Sequence, residues 1–508
     1  MGDRQRLATN TLSVFVDYGA RITIALVTFP FLIHAIGLEN YGIYILISAF
    51  SGYLGLLDLG ITQAVTREIS ARTTRGDRGE VSTTTSSSLV VLIIAGVISA
   101  TTCTLLATTL PGFFDLDTNQ RDIATTLFLF LGITLLFGFA QGLFRAMLAG
   151  IQRFDLVALI GIVDTVGKTA AILWVLMTNG SVIELAFYTL LASQAGPILA
   201  AALIQRRVPS VEIRVSGVAR TRIGETVRFG GVLSYMAIAG LLVYQTDAVI
   251  LGVFTGALGL AVYSVAQKVN TVLRQVEYLM ASSVMPAATA FQETGQTART
   301  RRMILEGTFY SHAVLAPAAL IILVMADPIV RFWVGELLIG AVPLLQVYVL
   351  YIVTYSTENV LWQSMIGIGK IRQLVRYVTS LVGLNLALSV YLTSELGPIG
   401  VVLGTAISYV LLHGWYLKVT LSAFEIPARE FVKMTYLKVL PIAAAGGAVV
   451  FLLQSAYPAN SLAVAGTYCL IGYVIAIYGI YRVMMNNIER ENARRTVSSL
   501  LRKFRPNM

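Results

Sequence analysis

Long apolar stretches alternate with short polar loops along almost the whole chain, and this pattern predicts helices that cross a membrane. A helix needs about 20 mostly apolar residues to span the hydrocarbon core of a bilayer. Fourteen stretches meet this requirement, numbered here as segments 1 to 14: residues 8–36, 40–66, 86–110, 122–148, 155–178, 182–205, 227–253, 256–290, 304–326, 341–367, 375–395, 398–419, 434–454 and 461–483. The sequence therefore predicts an all-α polytopic membrane protein with about 14 transmembrane helices.

The basic residues indicate the orientation of these segments, because cytoplasmic loops of membrane proteins are enriched in lysine and arginine. If segment 1 begins in the cytoplasm, about 29 of the 37 basic residues fall on the cytoplasmic side, and the outside loops hold only Arg121 and Arg331. Both termini are therefore predicted to be cytoplasmic. The net charge of +10 then reflects orientation and contacts with lipid headgroups, so it requires no nucleic acid partner.

The composition also favours a membrane protein over several other classes. Only 13% of the 508 residues are charged and 56% are hydrophobic, whereas soluble proteins carry about 25% charged residues. Two cysteines, Cys103 and Cys469, are too few for a disulfide framework or a zinc site. The three histidines, His34, His312 and His413, are far apart in sequence. There is no P-loop, nucleophile–base motif or metal-ligand spacing, so we predict neither an enzyme nor a cofactor.

A long cytoplasmic loop is predicted to divide the chain into two similar halves. Segments 1–6 form an N-lobe, residues 1–206, and segments 7–12 form a C-lobe, residues 227–420, joined by a cytoplasmic linker, residues 207–226. The sequence around Gly42 and Tyr44 recurs in similar form around Gly259 and Tyr263, which is typical of transporters built from two lobes. Residues 421–508 add segments 13 and 14 and a basic cytoplasmic tail.

Several charged residues are predicted to lie within the membrane, where an ionisable group costs roughly 2.5–3.5 kcal/mol and normally faces a cavity or a partner. Asp17 and Arg21 in segment 1, like Asp164 and Lys168 in segment 5, are four residues apart and share a helix face. Each pair is either an internal salt bridge or part of a functional site. Asp58, near the inner end of segment 2, is either a helix cap or a functional carboxylate.

Segment 8 carries a polar stripe along an otherwise apolar helix. The polar residues recur at spacings of three and four, which places them on one helix face: Ser264, Gln267, Lys268, Thr271, Arg274, Gln275, Tyr278 and Ser282. Lipid would leave these groups without hydrogen-bond partners. The stripe is therefore predicted to line a water-filled cavity, with hydrogen bonding between helices as the alternative.

Segment 10 carries aromatic and acidic residues suited to binding a sugar. The helical spacing places five of its residues on one face: Tyr348, Tyr351, Tyr355, Glu358 and Trp362. Aromatic rings stack on sugars, and a carboxylate accepts hydrogen bonds from sugar hydroxyls. The alternative is that these rings pack against one another within the helix bundle.

Several short motifs resemble those of a known transporter family. They are Gly37-Leu-Glu-Asn-Tyr-Gly-Ile-Tyr44, Gly55-Leu-Leu-Asp-Leu-Gly-Ile-Thr-Gln63, Gly150-Ile-Gln-Arg-Phe-Asp155, Thr246-Asp-Ala-Val-Ile-Leu-Gly252 with Tyr263, and Arg331-Phe-Trp-Val-Gly-Glu336. Their order and spacing, over about residues 8–420, resemble the Wzx-type oligosaccharide flippases of the multidrug/oligosaccharidyl-lipid/polysaccharide (MOP) exporter superfamily.

This resemblance implies two six-helix lobes around a central cavity that opens alternately to the two sides of the membrane. It also implies a polyprenyl-diphosphate-linked oligosaccharide as substrate and the bacterial inner membrane as location. Basic residues in the family's cavity meet the diphosphate, and the matching candidates are Arg21, Lys268 and Arg274. The neighbouring predicted contacts to diphosphate or sugar are Asp17, Gln267, Thr271, Tyr278, Tyr351, Tyr355 and Glu358.

The fourteen-helix layout is similar to that of the lipid II flippases, whose last two helices form a groove for the lipid tail. Those flippases also hold a sodium ion near the equivalents of segments 7, 11 and 12. The matching positions here are Asp247, Asn385, Ser389, Val401 and Thr405. Ser389 stands where the family has a second aspartate, which weakens the charge of such a site. This chain also has fewer arginines on segments 1 and 2, which argues against lipid II as substrate.

The sequence thus predicts a flippase that moves a lipid-linked oligosaccharide from the inner to the outer leaflet, as a monomer in contact with membrane lipids. Coupling to a cation such as sodium or a proton would use Asp247. One alternative is a drug/cation antiporter of the same superfamily, although the basic residues favour an anionic ligand. The other is a membrane-embedded polysaccharide polymerase or glycosyltransferase, which the short external loops disfavour.

Overall fold

The computed structural model describes residues 19, 22–58, 61, 62, 65, 66, 69, 78–112, 114, 116–151, 153–207 and 231–484. Within these ranges the chain forms helices joined by short turns, with no strand. The first eight helices are α1 (Ile22–Ile36), α2 (Leu38–Gly55), α3 (Arg78–Thr109), α4 (Thr118–Gly150), α5 (Phe154–Thr178), α6 (Val182–Arg207), α7 (Gly231–Phe254) and α8 (Gly256–Ala281). The others are α9 (Val284–Glu293), α10 (Thr297–Val334), α11 (Ala341–Tyr355), α12 (Glu358–Gly367), α13 (Val375–Leu396), α14 (Pro398–Ala423), α15 (Ala428–Met434), α16 (Tyr436–Ala456) and α17 (Leu462–Gly479).

The predicted all-α membrane architecture is confirmed. Ten of the described helices are long and apolar enough to cross a membrane, and three shorter apolar helices lie at Ile22–Ile36, Ile238–Phe254 and Ala341–Tyr355. Helix α8 is also long enough at 26 residues, but its polar stripe lowers its hydropathy. Each of the fourteen predicted segments therefore contains a described helix.

Two predicted segments are each broken into two helices. Segment 8 divides into α8 and α9 at Ser282 and Ser283, just before Pro286, whose ring nitrogen lacks the hydrogen that a continuous helix requires. Segment 10 divides into α11 and α12 at Ser356 and Thr357, both completely buried. The prediction of one continuous aromatic face from Tyr348 to Trp362 is therefore wrong, because the helix ends at Tyr355 and begins again at Glu358.

By its internal contacts the chain divides into two compact units. The first unit comprises residues 1–264 and 378–405, and the second comprises residues 265–377 and 406–508. Helices α8, α13 and α14 contribute residues to both units. The predicted lobe boundary lies in the linker 207–226, which falls outside the described residues after Arg207. The lobe assignment therefore stays a prediction.

The first unit is assembled by close packing at glycines. A side chain at Gly132 of α4 would lie 3.0 Å from the Cβ of Cys103 on α3, and one at Gly96 of α3 would lie 3.0 Å from the carbonyl oxygen of Leu136. Small residues at such contacts let the backbones of membrane helices approach closely. A buried apolar cluster extends from this contact through α4, α5 and α6 and includes Leu143, Ile160 and Ala200.

For two charged features predicted from the sequence, the structure shows the local contacts that a structural role requires. Asp58 accepts hydrogen bonds from the backbone nitrogen and hydroxyl of Thr62, at 3.3 and 2.6 Å, as a helix-capping carboxylate does. Asp164 and Lys168 form an ion pair within α5, with 3.1 Å between Oδ2 and Nζ. The other predicted pair, Asp17 and Arg21, lies outside the described residues.

The second unit is built around α10, a helix of 38 residues and thus roughly 57 Å long. Helices α16 and α17 pack against it through two buried apolar clusters, one around Phe309 and Val439 and the other around Met325 and Val450. Close contact between Gly446 of α16 and Gly472 of α17 holds this last pair of helices together. Segments 13 and 14 are therefore an integral part of the second unit.

Candidate functional site

The predicted stripe on α8 divides between two faces of that helix. Thr271 and Tyr278 are exposed, Tyr278 by 50%, while Gln267, Lys268 and Arg274 are half-buried. The remaining predicted partners of this set, Asp17 and Arg21, lie outside the described residues. The inward face of α8 therefore has to be described from the residues that it brings against other helices of the second unit.

Three polar residues of α8, at spacings of four and three, contact α11 and α12 within the second unit. Asn270 Oδ1 accepts a hydrogen bond from the hydroxyl of Tyr351 at 3.3 Å. The guanidinium of Arg274 lies 5.2 Å from the centre of the Tyr355 ring, within the range of a cation–π interaction. Glu277 Oε1 accepts a hydrogen bond from the backbone nitrogen of Asn359 at 3.2 Å.

The tyrosines of segment 10 belong to a ring cluster. Tyr351 stacks on Tyr409 of α14 with ring centres 5.5 Å apart, and Tyr355 meets the same ring edge-on at 5.6 Å. Tyr351 is almost completely buried, whereas Tyr355 is half-buried beneath Arg274. In this structure the rings thus pack against one another, which was the alternative to sugar stacking.

Behind this cluster, a chain of hydrogen bonds links α12, α14 and α16. Glu358 Oε1 lies 3.0 Å from His413 Nδ1, and His413 Nε2 lies 2.8 Å from the hydroxyl of Tyr436. That hydroxyl lies 2.9 Å from Oγ1 of Thr357, whose own hydroxyl donates to the carbonyl oxygen of Thr354 at 2.9 Å. We refer to Glu358, His413, Tyr436 and Thr357 as the relay.

A second histidine meets the relay from α10. His312 Nδ1 lies 2.7 Å from Oγ of Ser356, and its ring packs edge-on against Tyr436 with centres 4.9 Å apart. The residue is completely buried, and its Nε2 has no hydrogen-bond partner among the described residues. The break between α11 and α12 thus supplies two hydroxyls. That of Ser356 contacts His312, and that of Thr357 contacts Tyr436, which in turn contacts His413.

Sequence reasoning finds Arg274, Tyr351, Tyr355 and Glu358 but misses the groups that complete this site: Asn270, Glu277, His312, Tyr409, His413 and Tyr436. Glu277 follows Arg274 by three residues on the inward face of α8, so helical spacing alone could have identified it. The two histidines are about 100 positions apart, and no local pattern indicates that they meet.

A separate site lies in the first unit, around Asp247 of α7. The hydroxyl of Tyr263 on α8 donates to Asp247 Oδ2 at 3.0 Å, and both residues are buried. The neighbouring Thr246 is hydrogen-bonded through its hydroxyl to that of Tyr53 on α2, at 2.6 Å. The predicted Thr246–Asp247 motif therefore links α7 to two other helices of this unit.

The other four predicted ion-coupling residues come together between α13 and α14, also in the first unit. Asn385 Nδ2 donates to Thr405 Oγ1 at 2.9 Å, and Ser389 Oγ donates to the carbonyl oxygen of Val401 at 3.4 Å. All four are buried. Their oxygens are of the type that binds sodium, but all are uncharged, and one carboxylate oxygen of Asp247 accepts a hydrogen bond from Tyr263. Among the described residues, no three His, Cys, Asp or Glu side chains gather as metal ligands.

Several motif residues have structural roles. Gly42 of α2 approaches the first turn of α8 so closely that a Cβ atom would lie 1.9 Å from the carbonyl oxygen of Ala257. Arg153 forms two hydrogen bonds with the carboxylate of Asp155, at 2.8 and 2.7 Å. Arg331 bridges Asp327 and Glu336 around the end of α10, where Gly335 adopts a positive φ of 94°.

Comparison with known proteins gives one family and several relatives. A family model described as "Polysaccharide biosynthesis protein" matches residues 7–292, more than half of the chain. EpsK, a membrane protein of Bacillus subtilis strain 168, is 21% identical over 407 residues, which cover 77% of this chain and 78% of EpsK. A Shigella flexneri protein whose description names O-antigen transport is 21% identical over 330 residues, covering 64% of this chain and 76% of that protein.

Solved structures share the fold at low sequence identity. The lipid II flippase MurJ, in an inward closed conformation, has a TM-score of 0.70 and 14% identity, with 94% of this chain and all of that chain covered. An inward-facing multidrug resistance transporter of the MATE family in the MOP superfamily has a TM-score of 0.68 and 16% identity, with 80% and 95% covered. The predicted resemblance to this superfamily is therefore confirmed at the level of family and fold.

Proposed function

Because the chain belongs to the polysaccharide biosynthesis protein family, we propose that it is a flippase for a polyprenyl-diphosphate-linked oligosaccharide, such as the repeat unit of a surface polysaccharide. It moves this substrate from the inner to the outer leaflet of the bacterial inner membrane by alternating access. In this proposal both termini are cytoplasmic, the working form is a monomer surrounded by membrane lipids, and no bond in the substrate is made or broken.

The observation that supports an anionic substrate is the placement of Arg274. Its guanidinium is half-buried on a membrane helix and lies against the face of the Tyr355 ring. A planar guanidinium can give paired hydrogen bonds to phosphate oxygens. Lys268, one and a half turns earlier on α8, supplies a second cationic group, and Arg21 is the third basic residue assigned to the diphosphate.

The sugar contacts in this proposal fall to the residues of α8 and α11 that retain exposed surface. Thr271 and Tyr278 are exposed, and Gln267 and Tyr355 are half-buried. Tyr351 and Glu358 are engaged by Tyr409 and His413. We therefore assign these two to supporting the site from behind. Asp247 is the ion-coupling candidate that the sequence predicts in the first unit.

One observation favours a second candidate, a drug/cation antiporter. Two carboxylates, Glu277 and Glu358, lie within electrostatic range of the same guanidinium, Arg274, and a ring of tyrosines surrounds them. Buried carboxylates and aromatic rings are what a cationic, aromatic drug would require. The solved structures that share this fold also include a multidrug transporter.

The decisive experiment reconstitutes the full chain in liposomes with a labelled lipid-linked oligosaccharide and, separately, a cationic dye. We expect transbilayer movement of the intact lipid-linked sugar, without bond formation and without dye transport. Arg274→Ala should abolish this movement, and should fail to complement a flippase-deficient strain at normal membrane abundance. Arg372→Ala, at an exposed position on the loop before α13, is the matched control and should behave as wild type. Dye transport without sugar movement would establish the antiporter instead.

A further inference from the structure

The buried relay in the second unit has no assigned role in the movement of the lipid-linked sugar. Three of its members are nearly or completely buried: Glu358 is 7% exposed, His413 9% and Thr357 0%. Tyr436, at the start of α16, is half-buried. The relay therefore runs from an enclosed carboxylate to Tyr436, the least buried of its four members. In the predicted orientation, the Tyr436 hydroxyl lies toward the cytoplasmic end of α16.

The directions of its hydrogen bonds follow from the fixed end at Thr357. Because the Thr357 hydroxyl donates to the carbonyl oxygen of Thr354, it can only accept from Tyr436. The Tyr436 oxygen then accepts from Nε2–H of His413. With Nε2 protonated, the 3.0 Å contact between His413 Nδ1 and Glu358 Oε1 requires one proton between these two atoms. The pair is thus a carboxylic acid beside a neutral imidazole or a carboxylate beside an imidazolium.

Loss of that proton reverses the direction of the hydrogen bond between His413 and Tyr436. The remaining imidazole proton must sit on Nδ1, where it donates to the Glu358 carboxylate, and Nε2 becomes an acceptor. The Tyr436 hydroxyl then has to turn from Thr357 to His413. The hydrogen bond that ties α16 to the break between α11 and α12 is lost, and the buried pair gains one negative charge. The two protonation states therefore correspond to two different hydrogen-bond patterns among residues of three helices.

We propose that the relay is a proton-binding switch that couples this transporter to protons, an inference that rests on the proposed function for what is transported. To release the proton, the carboxyl proton of Glu358 passes to His413 Nδ1, and the Nε2 proton passes to the Tyr436 oxygen. The former hydroxyl proton of Tyr436 passes to water, which is the acceptor. Uptake is the reverse of these steps, so one proton is exchanged in each direction and no bond between heavy atoms changes.

The groups around the relay suit a site that gains and loses one charge. From α8, Arg274 and Glu277 lie within electrostatic range, and Glu277 is 0% exposed with one carboxylate oxygen that has no hydrogen-bond partner among the described residues. Other titratable or charged residues that the neighbouring helices contribute include His312 on α10, Tyr351 and Tyr355 on α11, Tyr377 on α13, Tyr409 and Tyr416 on α14, and Lys438 on α16. The Arg274 cation offsets the charge that appears when the pair loses its proton.

The relay can be tested without any substrate. Infrared difference spectra of the full chain in liposomes, recorded over a pH titration, should show a protonated carboxyl band that disappears in Glu358→Gln. The band should remain in Glu395→Gln, an exposed carboxyl at the end of α13. Tyr436→Phe keeps the ring and removes one hydrogen bond of the relay, so it should move the titration midpoint of the band by about one pH unit. A band that Glu358→Gln leaves unchanged, or a midpoint that Tyr436→Phe does not move, would overturn the proposal.

Coupling is tested in the same liposomes with the lipid-linked oligosaccharide. For one coupled proton, each pH unit across the membrane should sustain up to about tenfold enrichment of the lipid in one leaflet. Glu358→Gln should reduce this enrichment to none, whereas Glu395→Gln should keep it. Enrichment that persists in Glu358→Gln but is lost in Asp247→Asn would place the coupling in the first unit and refute this inference while leaving the flippase intact. If wild type moves no lipid, the proposed function fails and the infrared titration alone decides on the relay.

Discussion

Gly404 of α14 tests how closely α13 and α14 pack where they bring together Asn385, Ser389, Val401 and Thr405. A Cβ atom at this position would lie 2.5 Å from Oγ, 2.6 Å from the backbone nitrogen and 2.7 Å from Cα of Ser389 on α13. Carbon atoms in contact prefer about 3.5–4.0 Å. Gly404→Ala should therefore increase the separation of the α13 and α14 backbones by about 1 Å at this contact. The side chains alone cannot relieve the clash, because two of the three clashing atoms belong to the main chain.

The same helix carries its own control. A Cβ atom at Gly414 would meet nothing within 4 Å, so Gly414→Ala should only gain the helix propensity of alanine over glycine, about 0.8–1.0 kcal/mol. Gly404→Ala makes the same gain but pays for overpacking, about 1–3 kcal/mol in a well-packed core. The stabilities of the two variants should therefore differ by about 1–3 kcal/mol, with Gly414→Ala the more stable.

Thermal melting of the purified full chain, followed with a thiol-reactive fluorophore, measures this difference. The buried Cys103 lies in the first unit, so its reaction reports the opening of that unit. We expect Gly404→Ala to melt below wild type and Gly414→Ala at or above it. If the two variants melt at the same temperature, α13 and α14 are not in backbone contact beside Ser389. The described contacts between Asn385 and Thr405 and between Ser389 and Val401 would then be wrong.

Two further predictions concern the first unit. Gly42→Ala should reduce the amount of folded protein in the membrane, measured by fluorescence-detected size exclusion, because its Cβ atom would collide with the main chain at Ala257; Gly240→Ala, with nothing within 4 Å, should not. Tyr263→Phe should lower the melting temperature, because it removes the hydroxyl that donates to the buried Asp247, and such a hydrogen bond contributes about 0.5–1.5 kcal/mol. Tyr391→Phe, at a 63% exposed ring, should melt as wild type, and equal melting of both tyrosine variants would contradict the assigned contact.

The spans and fold class could be predicted from the sequence because they depend on local composition. A run of about 20 apolar residues must be helical in lipid, where each backbone polar group needs a partner within its own segment. The polar stripe on α8 could be recognised for the same reason, since its spacing is a property of one helix. Arg274 lies against α11, whereas Thr271 and Tyr278 of the same predicted stripe lie on an exposed face. A 3.6-residue period identifies a face without showing which part of it meets another helix.

The relay could not be predicted in this way, because its members belong to three helices and meet only through the fold. His413 and Tyr436 are 23 positions apart, and neither lies in a sequence pattern that points to the other. Such residues are compatible with packing, capping or function. Only the contacts of α12, α14 and α16 select among these interpretations, since they place a carboxyl, an imidazole and a phenol at hydrogen-bond distance in one line.

The break in segment 10 explains how a polar relay is accommodated at membrane depth. Ser356 and Thr357 end the turn, and their hydroxyls donate to the carbonyl oxygens of Val353 and Thr354, at 3.0 and 2.9 Å. These side chains thereby satisfy backbone groups that the interrupted helix would otherwise leave without partners. Each hydroxyl oxygen keeps a free lone pair, and these accept from His312 and Tyr436. The residues that break the helix are therefore the same residues that orient the relay, so restoring a continuous helix here would remove its fixed end.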